Sequence, residues 1–298
     1  MIHCVKVSGE QQGLRLDDGL KLLIPQLSKT EIRRVIDWGG CAVNDVCVRV
    51  ASRTLHLGDR INLGVMEKER CVELVYAAAD LLHEDDEYLA VNKASGFNSQ
   101  RTPYQLKGTV EYAVACYLKS LGSNEPARVI HRLDRGTSGV MFFPKQQRAA
   151  THISFLLKEH RVEKVYWALV AEPPEQDNWE VDAPIAKLSK FRYGVALPGR
   201  DAFTTFRVLA RGAGATLVAC YPRTGRTHQL RVHLEHGGMP IIGDTPYGGA
   251  PAPRLMLHCR RMAFAARDGR PVAADAPPDE AFAACCAAHG INLAPLCP

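Results

Sequence analysis

The sequence predicts an α+β protein of two domains, with the boundary near residue 74. The chain has 298 residues, enough for two domains at roughly 150 residues each. Its first 60 residues combine two helical patterns with short extended pieces. From residue 81 onward, short extended segments predominate and few helical patterns occur. We therefore expect a small domain over 1–74 and, over 75–298, a mixed, largely antiparallel sheet flanked by helices and loops.

Two helices and three short strands are predicted in the first domain. Leucines at 16, 20 and 23, at helical spacing, indicate the first helix within the segment 13–26. The second opens at Ser28 and Glu31, which form a capping box, and ends at Gly39, where left-handed backbone costs little. Lys29, Arg33 and Arg34 project from its outer side and, taken alone, fit an ordinary solvated surface. The strands are predicted at 41–43, 46–48 and 60–63.

Composition and charge narrow the class of protein. With 46% hydrophobic and 23% charged residues, the chain is neither disordered, collagen-like nor a coiled coil. It lacks an apolar run of ~18 residues and the core of a signal peptide, so we expect a cytoplasmic protein without membrane partners. The ten cysteines form no CxxC pair, which argues against a disulfide framework or a zinc site. Residues 75–270 carry a net charge of +7, which fits a polyanionic partner and also an ordinary basic enzyme.

In the second domain, the most informative motif is the nine-residue segment HRLDRGTSG, here called the signature loop (residues 131–139). It places one carboxylate, Asp134, beside two arginines and several small hydrogen-bonding residues that can hold a side chain rigidly. A solvated aspartate in a turn would give the same pattern. A kinase-like HRD loop is excluded, because the spacing differs and no glycine-rich phosphate loop precedes it.

Two further segments carry candidate functional side chains. The strand 164–170 is apolar on both faces, so Tyr166 is expected to be buried and to need a hydroxyl partner or a stacking surface. Segment 224–234 runs from a glycine turn into a helix that places His228 and Arg231 on one face. An arginine so near a helix N-terminus is repelled by the positive end of the helix dipole. This suggests that its charge is compensated by an anion from another segment. A metal site built from its histidines matches no known ligand spacing.

The remaining elements are predicted from periodicity. Helices are expected at 146–159 and 226–236. Strands are expected at 88–91, 140–143, 165–170, 203–209, 215–221 and 255–264. The loop GDTPYG (243–248) and the segment Leu257–Cys259 complete the set, and either fits a purely structural role.

Together these segments resemble the RluA family of pseudouridine synthases over nearly all of residues 81–265. The motifs HRLDRGTSG, NKASG (92–96), TGRTHQLRVH and GDTPYG occur in that family's order. The resemblance implies that Asp134 is the essential catalytic aspartate and that Tyr166 stacks on the target base. It also implies that Arg231 pairs with Asp134, that Leu257 packs in the active-site wall and that Arg132 helps to displace the target nucleotide. Such isomerases need neither cofactor nor metal.

The first domain resembles an S4 RNA-binding domain of αL type. The matching positions are Leu14–Asp17, Leu27–Lys29, Ile32–Arg34, Ile36, Gly39, Val43–Asn44 and Gly58–Asp59. The resemblance implies that Lys29, Arg33 and Arg34 contact phosphates of structured RNA. This combination of domains favours large-subunit ribosomal RNA as substrate, with tRNA as the alternative, and we expect a monomer.

The sequence departs from the family pattern in a few places. Ala94 replaces the usual proline of the NKPSG motif, and residues 100–123 follow the pattern poorly. Two other functions compete with the isomerase: an RNA-binding protein that has lost turnover, and a glycosidase that would need a second carboxylate near Asp134.

Overall fold

The computed structural model describes residues 2–37, 39–64, 74–101, 105, 107–171, 174–189 and 192–296. The chain divides into two units, one formed by residues 1–76 with 98–124 and the other by 77–97 with 125–298. The first unit thus includes a segment, 98–124, that a single division at residue 74 places in the second domain.

The first unit contains a four-stranded antiparallel sheet and two amphipathic helices. Its elements are β1 (Ile2–Lys6), α1 (Leu16–Leu23), α2 (Lys29–Asp37), β2 (Cys41–Val43), β3 (Val46–Cys47) and β4 (Arg60–Gly64). The strand order is β1-β4-β2-β3. Leu16, Leu20, Ile32 and Ile36 form the centre of its core and are almost completely buried. A third helix, α3 (Val110–Ser120), follows in segment 98–124.

The predicted helices α1 and α2 are confirmed. The Ser28 backbone N–H donates to Glu31 Oε2 at 2.9 Å, and the Glu31 N–H donates to Ser28 Oγ at 3.2 Å, as the capping box requires. Gly39 follows α2 with φ +80°, the left-handed conformation expected at its end. Strand β1 and helix α3 were not predicted. Strand β1 pairs only with β4, about 60 residues further along the chain, so tertiary pairing rather than local pattern identifies it.

The second unit is built around a nine-stranded sheet. Its strands are β5 (Leu81–Glu84), β6 (Tyr88–Lys93), β7 (Ser138–Pro144), β8 (Glu163–Val170), β9 (Asn178–Asp182), β12 (Phe203–Gly212), β13 (Ala215–Pro222), β14 (Leu257–Ala265) and β15 (Pro271–Asp275). A separate hairpin consists of β10 (Ile185–Lys187) and β11 (Tyr193–Val195). The helices are α4 (Gln147–Lys158), α5 (Gln229–His236) and α6 (Glu280–Ala288).

The sheet order is β5-β6-β7-β14-β8-β13-β12-β9, and β15 pairs with β14. Strands β7 and β14 run parallel, and every other pairing among the described strands is antiparallel. The prediction of a mixed, largely antiparallel sheet is therefore confirmed. All six predicted strands and helix α4 are present. No described helix is long and apolar enough to cross a membrane.

Two expectations about local structure were wrong. Helix α5 begins at Gln229 rather than at residue 226, because His228 adopts a left-handed backbone with φ +57° that cannot continue into the helix. Strand β8 is fully buried only from Trp167 to Val170, and Tyr166 is partly exposed. Apolar residues on both faces of this segment did not distinguish the buried half of β8 from the half that reaches the surface.

The main core lies where β8, β13 and β14 meet helices α5 and α6. Leu230 and Leu234 point into it, as their spacing predicted, and Phe282 of α6 is completely buried there. Helix α5 packs against β13 of the sheet and β11 of the hairpin, and its first residues lie beside Asp134. The candidate site is formed there.

Candidate active site

Lys93, the buried residue at the end of β6, holds the signature loop through hydrogen bonds. Lys93 Nζ donates hydrogen bonds to the carbonyl oxygens of Ala94 at 3.0 Å, Arg135 at 3.2 Å and Thr137 at 2.6 Å. The Lys93 side chain is completely buried, and this burial lowers its pKa to about 7. One ammonium therefore fixes two carbonyls on the C-terminal side of Asp134.

The rest of the NKASG segment adds hydrogen bonds to the same loop. Ser95 Oγ donates to the Gly136 carbonyl and the Gly96 N–H donates to the Arg135 carbonyl, both at 2.8 Å. Arg135 Nε returns a bond of 2.8 Å to the Gly96 carbonyl. Ala94 in place of proline leaves this set of contacts in place. The motif thus positions the loop backbone around Asp134, a role that sequence reasoning did not assign to it.

Gly139 allows the signature loop to enter β7 against β14. Its φ is +114°, and a Cβ atom there would lie 2.1 Å from the Cys259 carbonyl oxygen. At the other end, His131 Nε2 accepts a hydrogen bond of 3.0 Å from the Phe142 N–H. Burial lowers the pKa of His131 to about 4, so its imidazole is neutral. His131 therefore anchors the loop to β7.

The Asp134 carboxylate faces two side chains from the start of α5. Arg231 Nη1 lies 3.3 Å from Asp134 Oδ2, and His228 Nε2 lies 3.7 Å from the same oxygen. The Asp134 side chain is 30% exposed, so the carboxylate remains accessible. The structure thus brings together residues that are almost 100 positions apart in the sequence.

Arg231 has a second and closer partner, Asp244. The Nε and Nη2 atoms of Arg231 donate to the two Asp244 oxygens, both at 2.7 Å, and form a bidentate pair. The Asp244 side chain is only 1% exposed. Burial opposes the charge of Arg231, but hydrogen bonds and charge from Asp244, with a contribution from Asp134, outweigh it and raise its pKa. The predicted anion near the helix start is therefore provided mainly by Asp244.

Sequence reasoning had noted the GDTPYG loop without selecting its carboxylate. The sequence signal was that Asp244 directly follows Gly243. In the structure Gly243 has φ +82°, and a Cβ atom there would lie 1.9 Å from the Arg254 carbonyl oxygen. Such a backbone fixes the loop tightly and makes an aspartate within it a good candidate for a buried partner.

The other residue of that loop with a defined role is Tyr247, which is 2% exposed. Its hydroxyl lies 2.8 Å from His228 Nδ1 and accepts a bond of 3.1 Å from the Tyr193 backbone N–H. The Arg231 guanidinium lies 4.7 Å from the centre of the Tyr247 ring. The alternative histidine metal site does not form, because His233 is engaged in the core with Thr204 Oγ1 and the Ala183 carbonyl.

The remaining predicted site residues of this unit differ in exposure. Tyr166 lies on β8 between Cys220 of β13 and Cys259 of β14. Burial raises the pKa of the Tyr166 phenol well above its usual value, and Cys259 and Asp134 add to the shift. Leu257 is 3% exposed and belongs to the main core. Arg132 is exposed and makes no ion pair with any described residue.

In the first unit, the predicted phosphate contacts Arg33 and Lys29 have acidic partners. Arg33 Nε donates to Asp17 Oδ2 at 2.6 Å, and Lys29 Nζ contacts Asp18. Asp17 is completely buried, which opposes its charge, but Arg15 and Arg33 lower its pKa overall. Arg34 is exposed on the same helix.

Comparisons with known proteins identify the family of this chain. Residues 87–236 match the family model described as RNA pseudouridylate synthase. The chain is 31% identical to ribosomal large subunit pseudouridine synthase C of Escherichia coli, covering 95% of each chain. It is 32% identical to ribosomal large subunit pseudouridine synthase D of Haemophilus ducreyi, covering 85% of this chain and 78% of that one.

A solved structure supports the same fold. Human RNA pseudouridylate synthase domain containing 4 superimposes with a TM-score of 0.60 at 24% identity, covering 70% of this chain and 92% of that chain. The family model and the two bacterial relatives confirm the family resemblance seen in the motifs of the second unit. The chain belongs to the RNA pseudouridylate synthase family and is an enzyme that isomerises uridine in RNA.

Proposed function

We propose that the chain converts uridines of large-subunit ribosomal RNA to pseudouridine, with Asp134 as the catalytic residue. The observation that carries the assignment is the Asp134 carboxylate, held in the signature loop and facing Arg231 Nη1 at 3.3 Å. The named relatives that match most of this chain act on the large ribosomal subunit, which supports the choice of RNA.

The reaction breaks the bond between N1 and C1′, turns the base and joins C5 to C1′. C5 loses a proton and N1 gains one, so the reaction is balanced without an oxidant or a phosphate donor. The carboxylate can attack C1′, add to C6 or remove a sugar proton. Each route requires an accessible Asp134 oxygen in a fixed place, and the contact with Arg231 Nη1 at 3.3 Å holds the carboxylate.

The second carboxylate of the site supports an isomerase over a glycosidase. A glycosidase uses one carboxyl group as acid and another as nucleophile or base. Asp244 is almost fully buried, and both its oxygens are occupied by Arg231. It therefore serves to hold Arg231 and is not available to activate water.

Three other side chains fit the handling of the target base, which must leave its stack to reach Asp134. The partly exposed Tyr166 ring can stack on the base, with Leu257 in the wall behind it. Arg132, exposed and without an ion pair to any described residue, can occupy the space the nucleotide vacates or bind its phosphate. The Tyr166 hydroxyl is the candidate acceptor of the C5 proton; because burial raises the pKa of its phenol, it would take that proton while passing its own on through solvent to N1, which gains one in the reaction.

We also propose that residues 1–74 act as an S4 domain that positions the RNA. Helix α2 presents Lys29, Arg33 and Arg34, and phosphates would contact this face. Because Arg33 and Lys29 are paired with Asp17 and Asp18, each releases less free energy on binding a phosphate than an unpaired cation would. A ribosomal RNA substrate supports our proposal that the protein acts in the cytoplasm, as a monomer and without a cofactor.

The test is tritium release from RNA carrying 5-³H-uridine, with unmodified total ribosomal RNA and tRNA as separate substrates. We expect release from ribosomal RNA by the wild type and a rate at least about 10³-fold lower for Asp134→Asn, which should still bind RNA. Release by both proteins would contradict the role of Asp134. Release from tRNA alone would contradict the substrate, and free uracil would indicate a glycosidase. RNA binding without any release would indicate an RNA-binding protein.

A further inference from the structure

His228 approaches the Asp134 carboxylate but has no part in the function described so far. We infer that His228 is a positioning residue: its neutral imidazole, with the proton on Nε2, shares Asp134 Oδ2 with Arg231 and orients the carboxylate. The inference rests on the proposed role of Asp134. It adds a third group, from the turn before α5, to the apparatus that holds the reacting oxygen atoms.

The hydrogen-bond pattern around Tyr247 determines where the imidazole proton lies. The Tyr247 oxygen accepts the Tyr193 N–H at 3.1 Å, and its own proton can be donated to His228 Nδ1 at 2.8 Å. If Nδ1 carried the proton instead, the buried hydroxyl proton would have no acceptor among the described residues, which is costly. The other ring nitrogen, Nε2, would then turn a lone pair toward a carboxylate. Both ends of the ring therefore favour a proton on Nε2.

The backbone at His228 is held in a conformation that places the ring there. His228 has φ +57° and ψ +19°, a left-handed conformation that non-glycine residues seldom adopt. The next residue, Gln229, locks the turn: its Oε1 accepts from Arg226 N at 2.9 Å and from Thr224 Oγ1 at 2.7 Å. Its Nε2 donates to the Phe203 carbonyl at 3.0 Å. Strain supported by its surroundings in this way is common at functional sites.

Burial favours the neutral form of the His228 ring. Burial lowers the pKa of His228, Arg231 lowers it further, and Asp134 and Asp244 oppose the shift. The other polar groups that face it are Tyr247 and the backbone N–H of Tyr193 on β11. A neutral donor can orient Asp134 without adding a second positive charge that would weaken the carboxylate as a base or nucleophile.

Both contacts to Asp134 go to Oδ2. Among the described residues, Oδ1 accepts no hydrogen bond. This division leaves Oδ1 as the oxygen that reacts with the nucleotide, and the contacts at Oδ2 set its direction. At 3.7 Å the His228 contact is longer than a hydrogen bond, so we expect it to shorten when RNA excludes water from the site.

The kinetic test compares His228→Ala with His228→Gln, whose amide N–H can reach the position of Nε2. We expect His228→Ala to lower kcat by about 10² with KM changed less than about twofold, because a displaced reacting group can cost that much. His228→Gln should recover at least about tenfold of the loss. His152→Ala, at a surface histidine of α4 that bonds the Ala265 carbonyl at 3.0 Å, is the control and should match the wild type.

The second test observes the imidazole directly by ¹⁵N NMR of histidine-labelled protein, with His228→Gln used to assign the signal. We expect a proton on Nε2 in the wild type and a mixture of tautomers in Tyr247→Phe. In Asp134→Asn the pKa of His228 should fall further, because the charge of Asp134 raises it in the wild type. A proton on Nδ1 in the wild type, or equal loss of kcat in folded His228→Ala and His228→Gln, would overturn the inference.

The two proposals fail in different ways. If Asp134→Asn is fully active, the proposed function is wrong whatever His228 does. If Asp134→Asn is inactive and His228→Ala matches the wild type, only the inference about His228 is wrong.

Discussion

The buried pair of Arg231 and Asp244 provides a quantitative test of how the site is held together. In Asp244→Asn, the side chain keeps its size but loses its charge and one of its two acceptor oxygens. The Arg231 guanidinium, 10% exposed in its side chain, then lacks the partner that compensates its burial. Its remaining anion is Asp134, whose Oδ2 lies 3.3 Å from Nη1. We expect the arginine to draw Asp134 toward itself.

The expected cost follows from the burial of the pair. Removing one partner of a buried ion pair costs about 3–5 kcal/mol, because the other charge is left uncompensated. Asparagine retains one acceptor, which places Asp244→Asn near the lower end, at about 3 kcal/mol. For a unit of this size that corresponds to a fall in Tm of about 6–12 °C. Displacement of Asp134 should also lower kcat by about 10².

The assay is urea unfolding followed by fluorescence, together with tritium release at a temperature where the variant is folded. Asp177→Asn is the matched control, because Arg211 Nη2 also lies 2.7 Å from its carboxylate but the side chains are 43% and 72% exposed. Such a surface pair contributes about 0–1 kcal/mol. If Asp244→Asn were destabilised by no more than Asp177→Asn, the reasoning from burial would be refuted.

Two further predictions concern Tyr166 and Lys93. Tyr166→Phe keeps the ring that stacks on the base, so RNA affinity should change less than about twofold. Tritium release should fall about 10²-fold if the hydroxyl takes the C5 proton. An unchanged rate would show that the hydroxyl has no such role. For Lys93, the folded pKa of about 7 lies below the unfolded value near 10.5, so between these values the unfolded chain binds more protons and stability rises with pH. Relative to Lys93→Met, the wild type should therefore gain up to about 1.4 kcal/mol per pH unit above pH 7 in urea unfolding, and a difference independent of pH would contradict the buried ammonium.

Local sequence patterns were sufficient for the elements whose signals lie within a few residues. The capping box of α2, the spacing of Leu230 and Leu234, and the six predicted strands of the main sheet all appear as expected. The motif around Asp134 was equally visible, because a short loop must carry its own glycines and hydroxyls. Helix α3 was missed, although Thr109 caps it by accepting the Tyr112 N–H at 3.2 Å. Its segment, 98–124, also joins the first unit.

The partners of the charged groups were decided by the tertiary structure alone. Lys93 meets carbonyls about 40 residues away, and Asp134 meets Arg231 almost 100 residues away. Asp244 forms a bidentate ion pair with Arg231, and no spacing in the sequence indicated this pairing.

The sequence by itself therefore determined the type of fold, most of its elements and the identity of the loop that carries Asp134. Periodicity and capping report which face of an element is buried, and these are local properties. Which carboxylate neutralises which arginine depends on loops that packing brings together from distant segments. The arrangement of Asp134, Arg231, Asp244 and His228 is consequently a property of the folded chain.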